Sequence, residues 1–149
     1  MATVVHSLEE LKEQIEQRMR RGMVEASSTA LQDMKSATQF FYHGGFPKKY
    51  KRTGALGNTP EVETVTGDSS GMRFTARLNQ DHQYSTGDNP SMNQVLQLAN
   101  YGNPWVITNP HNGDEYLAKP TVGSQGFWEK AEEDIKQHTR EALERNLHK

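Results

Sequence analysis

The sequence predicts an α+β protein: a long N-terminal helix packed on a small antiparallel β-sheet and closed by a C-terminal helix. Three observations carry this reading. Apolar residues step by threes and fours from Leu8 to Phe41 with no proline between them, the period of an amphipathic helix. The pattern then switches to strict alternation, most clearly in Met72-Arg73-Phe74-Thr75-Ala76-Arg77-Leu78, as in a strand with one face covered. Helical spacing returns from residue 126 to residue 147.

The first helix is expected over residues 7–43. Ser7 with Glu10 forms a capping box, in which the serine hydroxyl accepts the Glu10 amide and the glutamate reaches back to the Ser7 amide. Leu8, Leu11, Ile15, Met19, Met23, Ala26, Ala30, Leu31, Met34, Ala37 and Phe41 make one stripe. Gly22 interrupts it at a cost of about 1 kcal/mol relative to alanine. It marks a bend, a close contact, or a break into two core helices. Gly44-Gly45 supplies a left-handed stop. At ~1.5 Å per residue the helix spans on the order of 50 Å, more than a domain of this size covers. Part of the stripe is therefore expected to meet another subunit.

The sheet is expected over residues 60–118, with a short helix at 91–101. Val62-Glu63-Thr64-Val65-Thr66 and Met72 to Leu78 flank Gly67-Asp68-Ser69-Ser70-Gly71, a hairpin loop. Residues 80–90 are polar and turn-prone, a flexible loop. Met92, Val95, Leu96 and Ala99 carry the short helical period, ended by Gly102. Trp105-Val106-Ile107 and Glu115-Tyr116-Leu117-Ala118 enclose Asn109-Pro110-His111-Asn112-Gly113-Asp114, whose Asn-Gly favours a second hairpin. About four strands result. In the last helix, 126–147, Phe127, Trp128, Ala131, Ile135, Ala142, Leu143 and Leu147 share a face, and Glu132/Lys136 and Glu141/Arg145 form outer pairs.

Composition narrows the function classes. The 149 residues suit one domain. Only 33% are hydrophobic and mean hydropathy is −0.89, so the core is modest and completing it at a subunit interface is expected. The net charge of −2 is not that of a globally basic nucleic-acid binder. The absence of cysteine excludes disulfides, thiolate nucleophiles and cysteine zinc sites. No apolar run approaches the ~20 residues of a membrane span, and no signal-peptide core opens the chain. A soluble protein of an intracellular setting, without membrane contact, is expected.

No catalytic constellation emerges. Of six histidines, none stands three or four residues from another on an expected helix. Asp81 with His82, or His111 with Asp114, binds a metal only with partners from elsewhere. Neither a Walker loop, a dinucleotide fingerprint nor a Gly-x-Ser-x-Gly elbow occurs. The expectation is a protein without enzymatic activity, cofactor or metal.

Two basic clusters stand out: Arg18, Arg20 and Arg21 on the first helix, and Lys48, Lys49, Lys51 and Arg52 after it. Combined, they can contact phosphates in a salt-sensitive way, with Tyr42 and Tyr50 stacking on a single strand. Alternatively they form a solvated joint with Tyr50 docked on the sheet.

Arg52-Thr53-Gly54-Ala55-Leu56, a basic residue leading into Thr-Gly-x-Leu after a long helix, resembles the junction of siphophage tail-completion or head–tail joining proteins, also called minor tail components or neck proteins. Val95 to Gly102, a short helix ending in Tyr101-Gly102, is similar to the family's aromatic-glycine ending, with Asn100 where an acid is common. Lys119-Pro120-Thr121-Val122, followed by Phe127-Trp128-Glu129-Lys130-Ala131, is similar to its approach to the last helix. The usual aromatic after the proline is missing here. The likeness spans nearly the whole chain through short motifs.

The resemblance implies a structural virion protein at the neck or tail, assembled in the bacterial host cytoplasm. It implies a ring of copies of this chain, hexameric or dodecameric, contacting connector, neck or tail-tube proteins, with non-specific DNA contact in the lumen. Interaction residues on this reading are Arg18, Arg21, Lys48, Lys49, Tyr50, Lys51, Arg52, Gly54, Tyr84 and Asn112, with loop 79–90 and the 109–114 tip as contact elements. Gly54 is expected at positive φ, with Leu56 packed against Phe40 or Phe41; the alternative is a flexible linker. The rival function is a small nucleic-acid-associated adaptor working through Lys48–Arg52. A small hydrolase is a third class for which no site assembles.

Overall fold

A computed structural model of the chain describes residues 6–43, 54–81, 100, 105–108, 113, 115–118 and 126–148. The fold is α+β. A long helix α1 (Leu8–His43) leads through a 3₁₀ turn (Ala55–Asn58) to strands β1 (Pro60–Val62), β2 (Thr66–Asp68), β3 (Gly71–Arg73) and β4 (Ala76–Leu78). Strands β5 (Trp105–Thr108) and β6 (Glu115–Ala118) follow, then helix α2 (Phe127–Leu147).

The start of α1 obeys its capping signal with one change. Ser7 Oγ accepts the Glu10 amide at 3.1 Å, as expected, but the Glu10 carboxylate receives the His6 amide at 2.7 Å rather than that of Ser7. Gly22 does not break the helix, which runs 36 residues without interruption. The residues of the expected stop, Gly44-Gly45, lie outside those described.

The first expected hairpin is present with a tighter turn, since Gly67, Asp68 and Gly71, expected in its loop, are paired in strands. β1 pairs with β4 so that Val62 faces Ala76, while β2 pairs with β3 so that Thr66 faces Arg73. Three residues, 63–65, thus stand opposite two, 74–75, which is a β-bulge. Glu63 keeps the outer ladder going by donating its amide to the Thr75 carbonyl at 2.8 Å. The expected alternation survives because the extra residue sits on the other strand. Met72, Phe74, Ala76 and Leu78 are half-buried, while Arg73, Thr75 and Arg77 are exposed. At the tip, Asp68 accepts both the amide and the hydroxyl of Ser70, and these bonds hold its carboxyl below the usual carboxylate range.

The second hairpin pairs Trp105 with Ala118 through Thr108 with Glu115, and Gly113 in its connection has φ of 76°. Among the described residues, the strands form three separate two-stranded ladders rather than one four-stranded sheet.

The chain divides into two compact units. The first holds Met1–Met34, Pro60–Leu78 and Ala131–Lys149. Its centre is a seam of small residues: Gly22, Ala26 and Ala30 with Met34 on α1, and Ala131 and Ala142 on α2, all buried. The helices run antiparallel, since Arg18 meets Leu147 and Asp33 meets His138. A Cβ on Gly22 would stand 3.1 Å from Leu143 Cδ2 and 3.2 Å from Leu143 Cα. The glycine therefore marks a close helix–helix contact, one of the options its position left open.

The second unit, Lys35–Thr59 with Asn79–Lys130, is centred on larger groups. Phe41 lies 6.1 Å from Phe127 and 5.6 Å from Tyr42, ring centre to ring centre, within the range of favourable tilted pairs. Ala37, Thr38, Leu56 and Thr59 are also buried here. Phe40, offered alongside Phe41 as a neighbour of Leu56, is 41% exposed and Phe41 is the buried one.

Candidate assembly surface

The joint after α1 is built around Gly54, which caps the 3₁₀ turn at φ 76° and ψ 2°, in the left-handed region. Its carbonyl accepts the Gly57 amide at 3.0 Å, and Leu56 is buried one residue before Gly57. Tyr42, near the end of α1, accepts the Gly57 amide on its hydroxyl at 3.3 Å. Gly57 itself leaves room for Gln39 and Tyr42, both 3.7 Å from where a Cβ would be. Thr59 closes the turn, its hydroxyl donating to the Leu56 carbonyl at 2.7 Å. Gly54 is thus a fixed corner and not a linker.

The basic residues of α1 are spent differently from one another. Arg18 donates to the Leu147 carbonyl at 3.2 Å, where a cation offsets the partial negative charge of a helix C-terminus. Arg20 donates to the Gly67 carbonyl at 2.8 Å and lies 3.5 Å from Glu16. Arg21 is exposed. Arg18 and Arg20 therefore hold α2 and the hairpin tip to α1. Lys48, Lys49, Tyr50, Lys51, Arg52, Tyr84 and Asn112, with residues 91–99 of the expected short helix, lie outside the described residues.

The polar contacts across α1 and α2 in the first unit are ones the sequence reading did not assign. Asp33 is buried and receives His138 Nδ1 at 2.9 and 3.0 Å to its two carboxylate oxygens. The hydrogen bond to Asp33 raises the imidazole pKa, against partial desolvation, with Asp33, Glu141 and Asp134 adding in the same direction through their charges. Further along, Glu25 takes Arg145 Nη2 at 2.7 Å on one oxygen and Asn146 Nδ2 at 2.8 Å on the other. Asn146 is buried where the apolar face of α2 was expected to continue to Leu147, which is instead 40% exposed. Their burial, though not their partners, was signalled: Asp33 follows Ala30 by three residues and Ala26 by seven on the buried face, and Asn146 follows Ala142 by four.

In the second unit, Asn100 is buried against the start of α2. Its side-chain oxygen accepts the Trp128 amide at 2.8 Å, its amide nitrogen donates to both Glu129 oxygens at 2.9 and 3.0 Å, and its carbonyl accepts the Gly126 amide at 2.9 Å. One side chain so satisfies an orphan amide of the helix N-terminus. An acid at this position could not donate to Glu129.

Among the described residues no group of three or more His, Asp or Glu side chains could hold a metal ion, and no helix is long and apolar enough to cross a membrane. No family model, curated protein or solved structure matches the chain.

Among the described residues, three of the six exposed large apolar side chains lie at the N-terminal end of α1, the others being Val24, Phe40 and Leu147. Leu8 is 86%, Leu11 42% and Ile15 43% exposed. They continue the face on which Gly22, Ala26 and Ala30 are covered, because steps of three and four residues keep one side of a helix.

Proposed function

We propose that the chain is a structural protein of a tailed-phage virion, one subunit of a head–tail connector, neck or tail-completion ring. The observation that carries the reading is the corner at Gly54. A 36-residue helix, a glycine in the left-handed conformation and a buried Leu56 follow one another in the Thr-Gly-x-Leu pattern by which the sequence resembles that family. The order of elements supports it too, as does an apolar stripe left uncovered on α1. On this reading the protein joins a filled head to a finished tail and does no catalysis. Arg21 and the Lys48–Arg52 run supply non-specific contact with DNA in the lumen, and loop 79–90 and the 109–114 tip engage the neighbouring ring.

The test is electron microscopy of lysates from a phage with a stop codon in this gene. DNA-filled heads beside separate tails are expected. Intact infectious particles would overturn the reading and favour the nucleic-acid adaptor. For the adaptor, binding to non-specific DNA would fall steeply between two salt concentrations.

A further inference from the structure

Gly22, Ala26 and Ala30 recur every fourth residue along α1, and α2 answers with Ala131 and Ala142. Side chains this small form shallow ridges and grooves. A slide of α2 by one turn would therefore meet almost the same surface on α1. It would even gain by moving toward the start of α1. The end of α2 would then pass from Arg18, where Leu147 now sits, onto the turn that holds Ile15, which is 43% exposed. Something other than the seam keeps α2 where it is.

Polar ties do so at two places. Asp33, buried, meets His138, and Glu25 meets Asn146 and Arg145. Eight residues separate Asp33 from Glu25 on α1, and eight separate His138 from Asn146 on α2. Both ties thus specify one alignment of an antiparallel pair. His138 has Asp134 four residues before it and Glu141 three residues after it, on its own face of α2. Both charges are near enough to act on the imidazole. A slide of one turn toward the start of α1 would put Asp134 where His138 is; a slide the other way would put Glu141 there. Either sets a second carboxylate against a buried one with no cation between them, which is costly.

We infer that Asp33 and His138, with Asp134 and Glu141 one turn to either side, form a register lock that fixes α2 on an otherwise slidable seam. A single buried polar contact can set helix register in this way, and one-turn shifts of a helix along its neighbour are a known mode of switching. The lock belongs to the first unit and does not rest on the virion reading, whose failure would show in particle assembly instead.

Nitroxide labels at Glu13→Cys and Arg140→Cys, both exposed positions of a chain without cysteine, report the alignment through the distance read by pulsed electron paramagnetic resonance. All variants carry Glu25→Ala to remove the second tie, a change expected on its own to leave the distance as it is. Exchanging two residues, Asp134→His with His138→Asp, keeps composition and charge. It should shorten the distance by about 6 Å, the rise of four helical residues, as the new histidine moves to Asp33. Asp33→Leu with His138→Leu, a kind of replacement that buried ion pairs commonly tolerate, should add the shorter distance to the original one. If far-UV circular dichroism shows that the exchange does not fold, the leucine pair decides. One unchanged distance in the folded variants would overturn the inference and assign the register to the start of α2, where Asn100 holds the helix. A shift with Glu25→Ala alone would overturn it as well.

Discussion

Gly22→Ala is the substitution in which two well-known effects oppose each other most directly. Alanine in place of glycine inside a helix is worth about 1 kcal/mol of stability, and α1 is continuous at this position. The new methyl would meet Leu143 Cδ2 at 3.1 Å, Leu143 Cα at 3.2 Å and the Ala142 carbonyl oxygen at 3.3 Å. A leucine methyl can rotate away; the other two atoms are main chain and move only if α2 moves. That shift would open the small-residue seam at Ala26, Ala30 and Ala142, and overpacking of this kind costs about 1–3 kcal/mol. The balance runs from neutral to about 2 kcal/mol destabilising. Urea denaturation followed by far-UV circular dichroism gives the number, and Gly22→Leu should be worse than Gly22→Ala. If Gly22→Ala instead raises stability by the full ~1 kcal/mol of its helix propensity, the helices are not in close contact there and the account of the seam is wrong.

Other outcomes follow from single contacts. The raised pKa of His138 makes its pairing with Asp33 a stabilising term that is complete below the unfolded value of about 6.5 and fades as pH rises through the higher folded value. The gap in melting temperature between wild type and His138→Gln should accordingly narrow on going from mildly acidic to alkaline buffer; a constant gap would refute it. Gly54→Val meets nothing within 4 Å of its Cβ, so its expected loss of about 1 kcal/mol or more is backbone strain alone. An unchanged melting temperature would exclude the left-handed corner. Asn100→Ala removes the acceptor for the Trp128 amide and the donor to Glu129, and should cost about 1–2 kcal/mol by thermal denaturation.

The helices were readable because their signals are local. The Ser7 cap, the three-and-four spacing of α1 and the alternation from Met72 to Leu78 each lie within a few residues of one another. Gly54 was readable for the same reason, since a left-handed corner is a property of one residue. The bulge was not, because a register depends on two strands at once and nothing in Glu63-Thr64-Val65 announces an extra residue. Nor were Asp33 with His138 and Glu25 with Asn146, whose partners stand more than a hundred positions apart. Periodicity alone counts a polar residue on a buried face as an interruption; only the second helix shows that it is matched. Arg18 and Arg20 were grouped by sequence proximity and charge, but on α1 they point to different targets, a helix end and a hairpin tip.

The unequal strands of the first hairpin bear on how the protein tolerates crowding. A straight hairpin offers its outer strand as a template, and a neighbouring chain can add to it and start a fibre. Here residues 63–65 bow out opposite 74–75, which coils the ribbon and spoils the row of amides and carbonyls a foreign strand would need. Sliding either strand by one residue would also expose Met72, Phe74 and Leu78 and draw Arg73 and Arg77 inward. The irregularity thus guards a short, sparsely buried ribbon against the fault to which such ribbons are most prone when many copies are held side by side.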